Sequence, residues 1–295
     1  MRLCDYVVDY LFSIGVKSAY VVTGRGSLFL NDALAKKVEV NKIFPHHEQS
    51  AAFAACAAAS LTGEIQAVFP STGCASTNVV TGVLSAWQDH VPMIVISGQN
   101  SLSETTAYTN KNIRTYGQQE ANIVPIVSSI TKYAFMITDP KEIRYHLEKA
   151  CFKATNGNPG PVWIDIPLDL QNSRIEPDQL EAFTPPNSEK TIEVAKLQGL
   201  KSSFLNSKRP VFLIGSGVAA SGSVKLLKDL STEYEVPIVY THAAVDTVPL
   251  SFKNTIGSLG SQGASRAGAF TIQNSDLVIV LGSRMNSLTT GPDTC

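Results

Sequence analysis

Short, uninterrupted apolar segments alternate with longer helical segments along most of this chain, and this pattern limits the possible folds more than any other feature. The clearest segments are 92–98 (PMIVISG), 161–167 (PVWIDIP) and 276–282 (DLVIVLG). A strand with one face in water alternates apolar and polar residues, whereas these segments do not, so each is expected to be buried on both faces. Such strands occur in parallel sheets that helices cover on both sides. We therefore predict an α/β fold.

The chain has 295 residues, which is too long for one ordinary domain. Segment 173–190 contains three prolines and charges of both signs, which is typical of a linker. We therefore predict two doubly wound parallel-sheet domains, at 1–172 and 191–295. The second, Rossmann-like pattern stops at Cys295 without a closing strand or helix, so we expect this domain to be incomplete.

Apolar periodicity and turn residues predict the individual elements. In the first domain the predicted helices are 3–14, 28–37, 48–61, 75–87, 121–129 and 140–155, and the predicted strands are 19–22, 42–44, 65–69, 92–98 and 161–167. Residues 99–120 are polar and poorly periodic, which predicts a long functional loop. In the second domain the predicted helices are 191–206, 221–233 and 264–273, and the predicted strands are 210–215, 237–241 and 276–282.

The charge balance excludes several classes of partner. The net charge is −1 and there is no basic tail, so neither a nucleic acid nor an anionic membrane surface is an expected partner. No apolar run approaches the about 20 residues of a membrane span. Charged residues make up only 17% of the chain, which favours a homo-oligomer whose subunits cover part of each other's surface.

The cysteines indicate a reducing compartment. They are odd in number, widely spaced and without a CxxC pair, so neither a disulfide framework nor a zinc site is expected. We expect no secretory signal at the start of the chain, because Asp5 and Asp9 interrupt its apolar run. We predict a cytoplasmic protein with no metal ligands in this chain. The cysteines are Cys4, Cys56, Cys74, Cys151 and Cys295.

Segment 45–49 (PHHEQ) joins the carboxyl end of a predicted strand to an alanine-rich helix. Ligands of open α/β sheets bind at such positions. The ionisable side chain of Glu48 stands there beside an almost wholly apolar helix, which makes it a candidate catalytic group. The alternative is an ordinary helix start, where the positive end of the helix dipole favours a glutamate.

Segment 47–63 (HEQSAAFAACAAASLTG) resembles, without a gap, the HEQ-x-AA-x-AA pattern of thiamine-diphosphate-dependent enzymes of the acetolactate synthase type. The resemblance implies that the carboxyl of Glu48 hydrogen-bonds N1′ of the cofactor's aminopyrimidine. It would thereby stabilise the imino tautomer, whose nitrogen removes the proton from the thiazolium C2. Such a carboxyl must exchange a proton near neutral pH.

Segment 71–78 (STGCASTN) is similar to the family's TSGPGATN, except that Cys74 and Ala75 replace the proline and the second glycine. An ordinary polar turn with a helix cap is the alternative interpretation. The cofactor contacts that the resemblance implies here are Ser71, Thr72, Gly73 and Asn78.

The turn Gly24-Arg25-Gly26 stands where many members of the family have Tyr-Pro-Gly next to the thiazolium. The resemblance therefore implies that Gly24 and Gly26 contact the cofactor. Arg25 replaces the proline of this motif. It either supplies a cation to a substrate carboxylate or phosphate or points to solvent, and the residues leave both open.

Segment 118–121 (QQEA) resembles the family's FQEA, in which the glutamine faces the reacting carbon. Gln119 is the matching residue, and it can donate a hydrogen bond to a substrate carbonyl or carboxylate. Gln118 replaces the phenylalanine, so substrate preference is expected to differ, with a solvated loop as the alternative for Gln118. Segment 89–99 also resembles a family strand, in which only Gln99 is a site candidate.

In the second domain, Gly215-Ser216-Gly217 and Arg284 follow two predicted strands. In acetolactate synthases such glycine turns and this arginine hold FAD, so the resemblance implies FAD contacts at Gly215, Gly217 and Arg284. Many members of the family bind no FAD. A purely structural central domain is therefore an equal alternative, because a glycine turn after a strand is a weak nucleotide signal.

Members of the family carry a third domain with a GDG…N stretch that binds Mg²⁺ and the diphosphate, and no such stretch occurs in these residues. The resemblance implies that a second copy or a C-terminal segment supplies this domain and the Mg²⁺ ligands. We therefore expect either a fragment or a separate partner polypeptide. The chain alone is expected to be inactive, and a homodimer or tetramer is expected to be the assembly.

The resemblance implies thiamine-diphosphate-dependent decarboxylation of a 2-oxo acid, with pyruvate expected, followed by carboligation. One alternative is a related carboligase with another acceptor, such as a keto-sugar nucleotide. Another is a non-catalytic or regulatory subunit of the same fold. An NAD-dependent Rossmann enzyme would carry a GxGxxG turn with an acidic residue about 20 positions later, and neither glycine turn of this chain completes that pattern.

Overall fold

Two parallel β-sheets, one in each half of the chain, organise the protein. The structure is a computed structural model and describes residues 1–186, 194–261 and 263–291. Two units result, Met1–Asn187 and Ser188–Cys295, and their division falls inside segment 173–190. All strand pairs within both sheets are parallel. The predicted α/β class with two parallel-sheet domains is confirmed.

The sheet of the first unit has six strands in the order β2-β1-β3-β4-β6-β5. These strands are β1 (Ser18–Val21), β2 (Asn41–Ile43), β3 (Gln66–Phe69), β4 (Met93–Gln99), β5 (Tyr133–Met136) and β6 (Pro161–Pro167). The helices are α1 (Leu3–Ser13), α2 (Leu28–Lys36), α3 (Glu48–Thr62), α4 (Cys74–Asn78), α5 (Val80–Gln88), α6 (Thr106–Thr109), α7 (Ile123–Val127), α8 (Ile143–Thr155) and α9 (Leu168–Gln171).

Helices cover both faces of this sheet. Successive residues of a strand point to opposite faces, and β4 divides accordingly. Ile94 and Ile96 pack into a core with residues of α1, α2 and α8, whereas Met93 and Val95 pack into a second core with residues of α3, α5 and α7. Every residue of β4 and β6 is buried, which is why neither strand shows polar alternation.

The second unit has four strands in the order β10-β7-β8-β9. Its strands are β7 (Pro210–Ile214), β8 (Ile238–Thr241), β9 (Thr255–Leu259) and β10 (Leu277–Leu281), and its helices are α10 (Val194–Asn206), α11 (Gly217–Ala220), α12 (Val224–Glu233), α13 (Arg266–Gln273) and α14 (Ser287–Thr290). Phe212 and Ile214 of β7 pack in one core with Leu227 of α12. Val211 and Leu213 pack in another with Ile272 of α13.

The structure corrects several sequence predictions. Strands β5 and β9 lack a predicted counterpart. Both are short, partly buried strands at sheet edges, and β9 also carries no continuous apolar run. The predicted helix 75–87 is two helices, α4 and α5, which meet at Val79. The loop 99–120 contains the short helix α6. Of the predicted helix 191–206, residues 191–193 lie outside the described residues, as does Cys295.

None of the helices in the described ranges is both long and apolar enough to cross a membrane.

Candidate functional site

The predicted site residues of the first unit gather at the carboxyl edge of its sheet. The neighbouring parallel strands β1, β3 and β4 end there at Val21, Phe69 and Gln99, and loops that follow parallel strands meet at one edge. We call the segments 24–26, 71–73, 98–99 and 118–121 together with Glu48 and Asn78 the carboxyl-edge site. Two cavities of the described residues lie elsewhere, one lined by Tyr10 and one lined by Leu34.

Close backbone approaches hold the carboxyl-edge site together. A Cβ atom on Gly24 would lie 2.5 Å from the Ser71 side chain, and one on Gly98 would lie 2.1 Å from the carbonyl oxygen of Gly26. The amide of Gly26 donates to Ser71 Oγ at 3.0 Å. Glycine is needed at these positions because there is no space for a side chain. The three loops therefore form one packed backbone unit.

Gly73 and Gln119 form the tightest of these approaches. Gly73 has φ +61°, and an added Cβ would lie 1.6 Å from the carbonyl oxygen of Gln119. Gln119 itself adopts φ +55°, which is uncommon for a residue with a side chain. Such backbone conformations cluster at functional sites. The structure thus brings the two predicted segments 71–73 and 118–121 into direct contact.

The carboxyl of Glu48 lies at the first residue of α3. His47 caps this helix, because its Nδ1 accepts a hydrogen bond from the amide of Gln49 at 3.1 Å. Glu48 is half-buried, and its Oε2 accepts a hydrogen bond from Asn78 Nδ2 at 2.9 Å. No other side-chain hydrogen bond reaches Glu48 from the residues that the structure describes. One carboxylate oxygen is therefore available to a ligand.

Small residues determine where this carboxyl stands. The buried face of α3 consists of alanines and Cys56, and a Cβ added to Gly82 of α5 would lie 2.4 Å from the Cβ of Ala52. The two helices therefore pack closely. Because α4 leads directly into α5, this packing keeps Asn78 within hydrogen-bond distance of Glu48.

The hydroxyls of Ser71 and Thr72 point into the protein. Ser71 accepts from the amide of Gly26, while Thr72 Oγ1 donates to Gln99 Oε1 at 2.6 Å. Both residues are buried. Their predicted cofactor contact stays a prediction. Both hydroxyls already form hydrogen bonds within the protein, and these bonds hold the turn in place.

Asp165 is a site residue that sequence reasoning did not single out, since its motif indicated only the closing strand β6. It is 1% exposed, and it accepts hydrogen bonds from Ser97 Oγ at 2.5 Å and Gln99 Nε2 at 3.1 Å. Burial raises the pKa of Asp165 to about 7, although these two hydrogen bonds act in the opposite direction. An aspartate within an apolar strand, two residues after a tryptophan, was the available signal.

Glu120 is a second residue without a predicted role, and it organises the loop that carries Gln119. Its Oε1 accepts from the amide and the hydroxyl of Thr106 at 2.5 and 2.6 Å, and its Oε2 accepts from the amides of Tyr116 and Gly117 at 2.8 and 3.3 Å. Burial alone would raise the pKa of Glu120, but these hydrogen bonds outweigh burial and lower it. The loop 105–120 is therefore closed around one carboxylate.

Arg25 and Gln118, two of the departures from the family pattern, lie side by side. The guanidinium Nη1 of Arg25 donates to Gln118 Oε1 at 3.4 Å, and this hydrogen bond is exposed. Cys74, a third departure, is also exposed. The positions at which this chain differs from the family pattern therefore include an exposed polar pair at the carboxyl-edge site.

The glycines of the second unit have a structural explanation. A Cβ on Gly215 would lie 2.3 Å from the carbonyl oxygen of Gly282, and one on Gly217 would lie 2.8 Å from the same atom. The amide of Gly217 donates to this oxygen at 3.0 Å. These glycines thus allow two turns to pack on each other. FAD contacts at Gly215, Gly217 and exposed Arg284 stay a prediction.

No group of three or more histidine, cysteine, aspartate or glutamate side chains in the described part of the chain is arranged to hold a metal ion.

Comparison with known protein families gives two matches. Residues 1–126 match the family model described as thiamine pyrophosphate enzyme, N-terminal TPP binding domain. Residues 197–294 match the model described as thiamine pyrophosphate enzyme, central domain. The first match includes Glu48, the 71–78 segment and Gln119.

The curated relatives include acetolactate synthases from bacteria and plants. The acetolactate synthase large subunits of Corynebacterium glutamicum and Lactococcus lactis are each 32% identical to this chain, over 97% and 95% of it and over 44% and 48% of the relatives. The chloroplastic acetolactate synthase of Arabidopsis thaliana is 29% identical over 97% of this chain and 42% of its own length. This chain spans about half the length of the curated relatives that it matches.

Proposed function

This chain belongs to the thiamine pyrophosphate enzymes, whose N-terminal and central domains it contains, and we propose that it provides the pyrimidine-binding part of an active site that decarboxylates a 2-oxo acid. The expected donor is pyruvate, and the expected product is a carboligation product of the acetolactate type. A second copy or a C-terminal segment would supply the diphosphate-binding domain and the Mg²⁺ ligands. The chain alone is then inactive, and the working form is a homo-oligomer.

The observation that carries this proposal is the carboxyl of Glu48. Asn78 holds one of its oxygens at 2.9 Å, and the other is left for a ligand. An aminopyrimidine nitrogen needs a carboxyl of this kind, one that is oriented, partly shielded from water and not already paired with a cation. The described residues include no ion pair to Glu48. The donor set therefore fits thiamine diphosphate.

When bound, thiamine diphosphate supplies the nucleophilic carbon that attacks the 2-oxo group. The part of Glu48 is to share a proton with N1′ of the aminopyrimidine, which is general acid and base catalysis. Asn78 keeps the carboxyl in place for this transfer. Gly24, Gly26 and the turn 71–73 are the proposed backbone contacts of the cofactor, and their mutual packing fixes the shape of these loops.

The side chain of Gln119 is proposed to orient the substrate. It is exposed at the carboxyl-edge site, while its backbone is held against Gly73. An amide donor can stabilise the charge that develops on a substrate carbonyl or carboxylate oxygen. The four described cysteines, Cys4, Cys56, Cys74 and Cys151, are free thiols, in keeping with the proposed cytoplasmic location.

The proposed function predicts a strict cofactor requirement. We expect the assembled enzyme to release CO₂ from pyruvate when thiamine diphosphate and Mg²⁺ are present, and to lose this activity when either is removed by chelation and dialysis. The measurement is CO₂ release, with the carboligation product identified by mass spectrometry. Turnover that survives removal of the cofactor, or no turnover with any 2-oxo acid, would contradict the proposal.

The Arg25–Gln118 pair favours a second candidate, a carboligase whose acceptor is anionic, such as a keto-sugar nucleotide. A guanidinium binds phosphate and carboxylate groups through directed hydrogen bonds. A proline and a phenylalanine at these positions would offer no such group. The charge and the exposed amide of the pair therefore support an acceptor that carries a phosphate group, which pyruvate lacks.

We expect Arg25→Met to raise the KM for an anionic acceptor by roughly 10- to 100-fold, because a hydrogen bond to a charged group contributes about 1.5–3 kcal/mol. Gln118→Phe is expected to act in the same direction with a smaller effect. The measurement is the acceptor dependence of product formation at saturating pyruvate. Lys153→Met removes an exposed cation of α8 instead and serves as the control. A rise in the KM for pyruvate alone would reject the anionic-acceptor hypothesis.

A further inference from the structure

Both ends of the Gln99 amide are engaged at the carboxyl-edge site. The oxygen Oε1 accepts from Thr72 Oγ1 at 2.6 Å and from the amide of Asn100 at 3.0 Å. The nitrogen Nε2 donates to the carbonyl of Ala121 at 2.9 Å and to Asp165 Oδ2 at 3.1 Å. Gln99 therefore connects the 71–73 turn with the end of the 118–121 segment.

Asp165 belongs to a buried chain of hydrogen bonds behind this amide. In the pairing of β4 with β6, Asp165 lies opposite Ser97. Ser97 Oγ donates to Asp165 Oδ1 at 2.5 Å and accepts from the indole nitrogen of Trp163 at 2.7 Å. Asp165, Ser97, Gln99 and Trp163 are each at most 2% exposed. Because all four side chains are buried, water does not replace any partner in this series of hydrogen bonds.

Asp165 is one of the groups that set the orientation of the amide. An amide side chain has a donor end and an acceptor end, and half a turn exchanges them. The backbone amide of Asn100 can only donate, so it requires Oε1 to face it. The carbonyl of Ala121 and an ionised Asp165 can only accept, so they require Nε2. Asp165 is the one side chain among the described partners that imposes the donor end.

We propose that Asp165 is a positioning residue of the carboxyl-edge site, which fixes the amide of Gln99 and thereby holds the 71–73 turn and the 118–121 segment in register. Asp165 does not reach the surface where a ligand binds, so its influence passes through Gln99. The expected effect on turnover rests on the proposed function. The effect on the two segments does not.

The burial of Asp165 lowers the stability of the folded protein at neutral pH. A positioning role can therefore be distinguished from a packing role by measuring stability and turnover together. Burial is the main cause of its raised pKa of about 7, and only Ser97 and Gln99 oppose it. In the unfolded chain the pKa is ordinary, at about 4. The folded state therefore binds the proton of Asp165 more tightly, so the contribution of this group to stability is greatest below about pH 4 and is lost as the pH rises to about 7.

The decisive variant is Asp165→Asn, which keeps the shape of the side chain but offers an amide donor as well as an acceptor. We expect kcat of the assembled enzyme to fall by roughly 10- to 100-fold, as small misplacements in active sites do. We expect the melting temperature at pH 8 to be unchanged or higher than that of the wild type. The dependence of stability on pH between about 4 and 7 should become weaker.

Three control variants identify the route of the effect. Ser97→Ala removes the other partner of Asp165 but leaves the Gln99 bond, so kcat should change by less than about threefold. Gln99→Leu should reproduce the loss seen in Asp165→Asn, and the double variant should be no worse than either, because coupled residues are not additive. If Asp165→Asn does not fold, Gln99→Leu alone decides: turnover within about twofold of the wild type overturns the proposal.

Hydrogen exchange tests the positioning role without any activity. The amides of segments 71–73 and 118–121 should exchange faster in Asp165→Asn than in the wild type, while Ser97→Ala should leave them protected. Unchanged exchange in both segments, or equal acceleration in Ser97→Ala, overturns the proposal. Because this measurement needs no substrate, an enzyme without thiamine-dependent turnover would disprove the proposed function and leave this result standing.

Discussion

Replacing Glu48 by glutamine is expected to lower turnover of the assembled enzyme by roughly 10²- to 10⁴-fold, which is the usual contribution of a positioned acid or base. The amide oxygen of glutamine can still accept the hydrogen bond from Asn78, so the side chain should keep its place. Its amide nitrogen cannot give up a proton to an aminopyrimidine and take it back. The variant therefore removes proton exchange and retains the geometry.

The measurement compares CO₂ release at saturating cofactor with the thermal stability of the same preparation. We expect stability to change by less than about 0.5 kcal/mol, as for most partly exposed substitutions. Glu64→Gln is the matched control, because it removes the same charge near the other end of α3, where Glu64 pairs with Lys17 at 3.0 Å. If Glu48→Gln turned over at the wild-type rate, the chain would be better described as a non-catalytic or regulatory subunit.

The Gly73→Ala substitution is expected to destabilise the first unit by roughly 2–5 kcal/mol. Two costs combine at this position. A residue other than glycine is strained at φ +61°, and the new methyl group would have to displace the carbonyl of Gln119, which it would otherwise approach to 1.6 Å. The displacement would also separate the 71–73 turn from the 118–121 segment, so turnover should fall as well.

Gly63→Ala separates these two costs. Gly63 ends α3 at φ +71°, and no atom lies within 4 Å of an added Cβ. This control therefore carries a conformational cost of about 1–2 kcal/mol and no cost from a contact. Urea denaturation followed by circular dichroism gives both values. The structural argument fails if the two alanine variants are equally stable.

Sequence patterns predict the strands that are buried on both faces and the helices that cover them. Strands β4 and β6 are buried on both faces, so an unbroken apolar run indicates each of them, and their helices follow from the alternation. Strands β5 and β9 lie at sheet edges, where one side of the strand lacks a neighbour and polar residues are accepted. The local pattern of β9, TIGSL, does not differ from that of a loop, whereas β5 is apolar but only four residues long.

The same distinction applies to the carboxyl-edge site. Glu48, Gln119 and the glycine turns stand in motifs that resemble a family, so the sequence indicates them individually. The contacts between motifs depend on strand order and register, which only the fold supplies. The bond from Asp165 to Gln99 spans 66 positions, and the bond from Arg25 to Gln118 spans 93. No local pattern connects residues at such separations.

The carboxyl-edge site combines two parts. Its packed backbone leaves no space for larger residues, and other side chains face outward from this backbone. Gly24, Gly98 and their partners allow no larger residue beneath the surface, whereas Arg25, Cys74 and Gln118 are exposed above it. Exchanging these three side chains alters the chemistry that the surface offers and leaves the supporting contacts untouched. These three positions can therefore vary at little risk to folding, and a library limited to them is the direct way to test whether they set the acceptor of the proposed reaction.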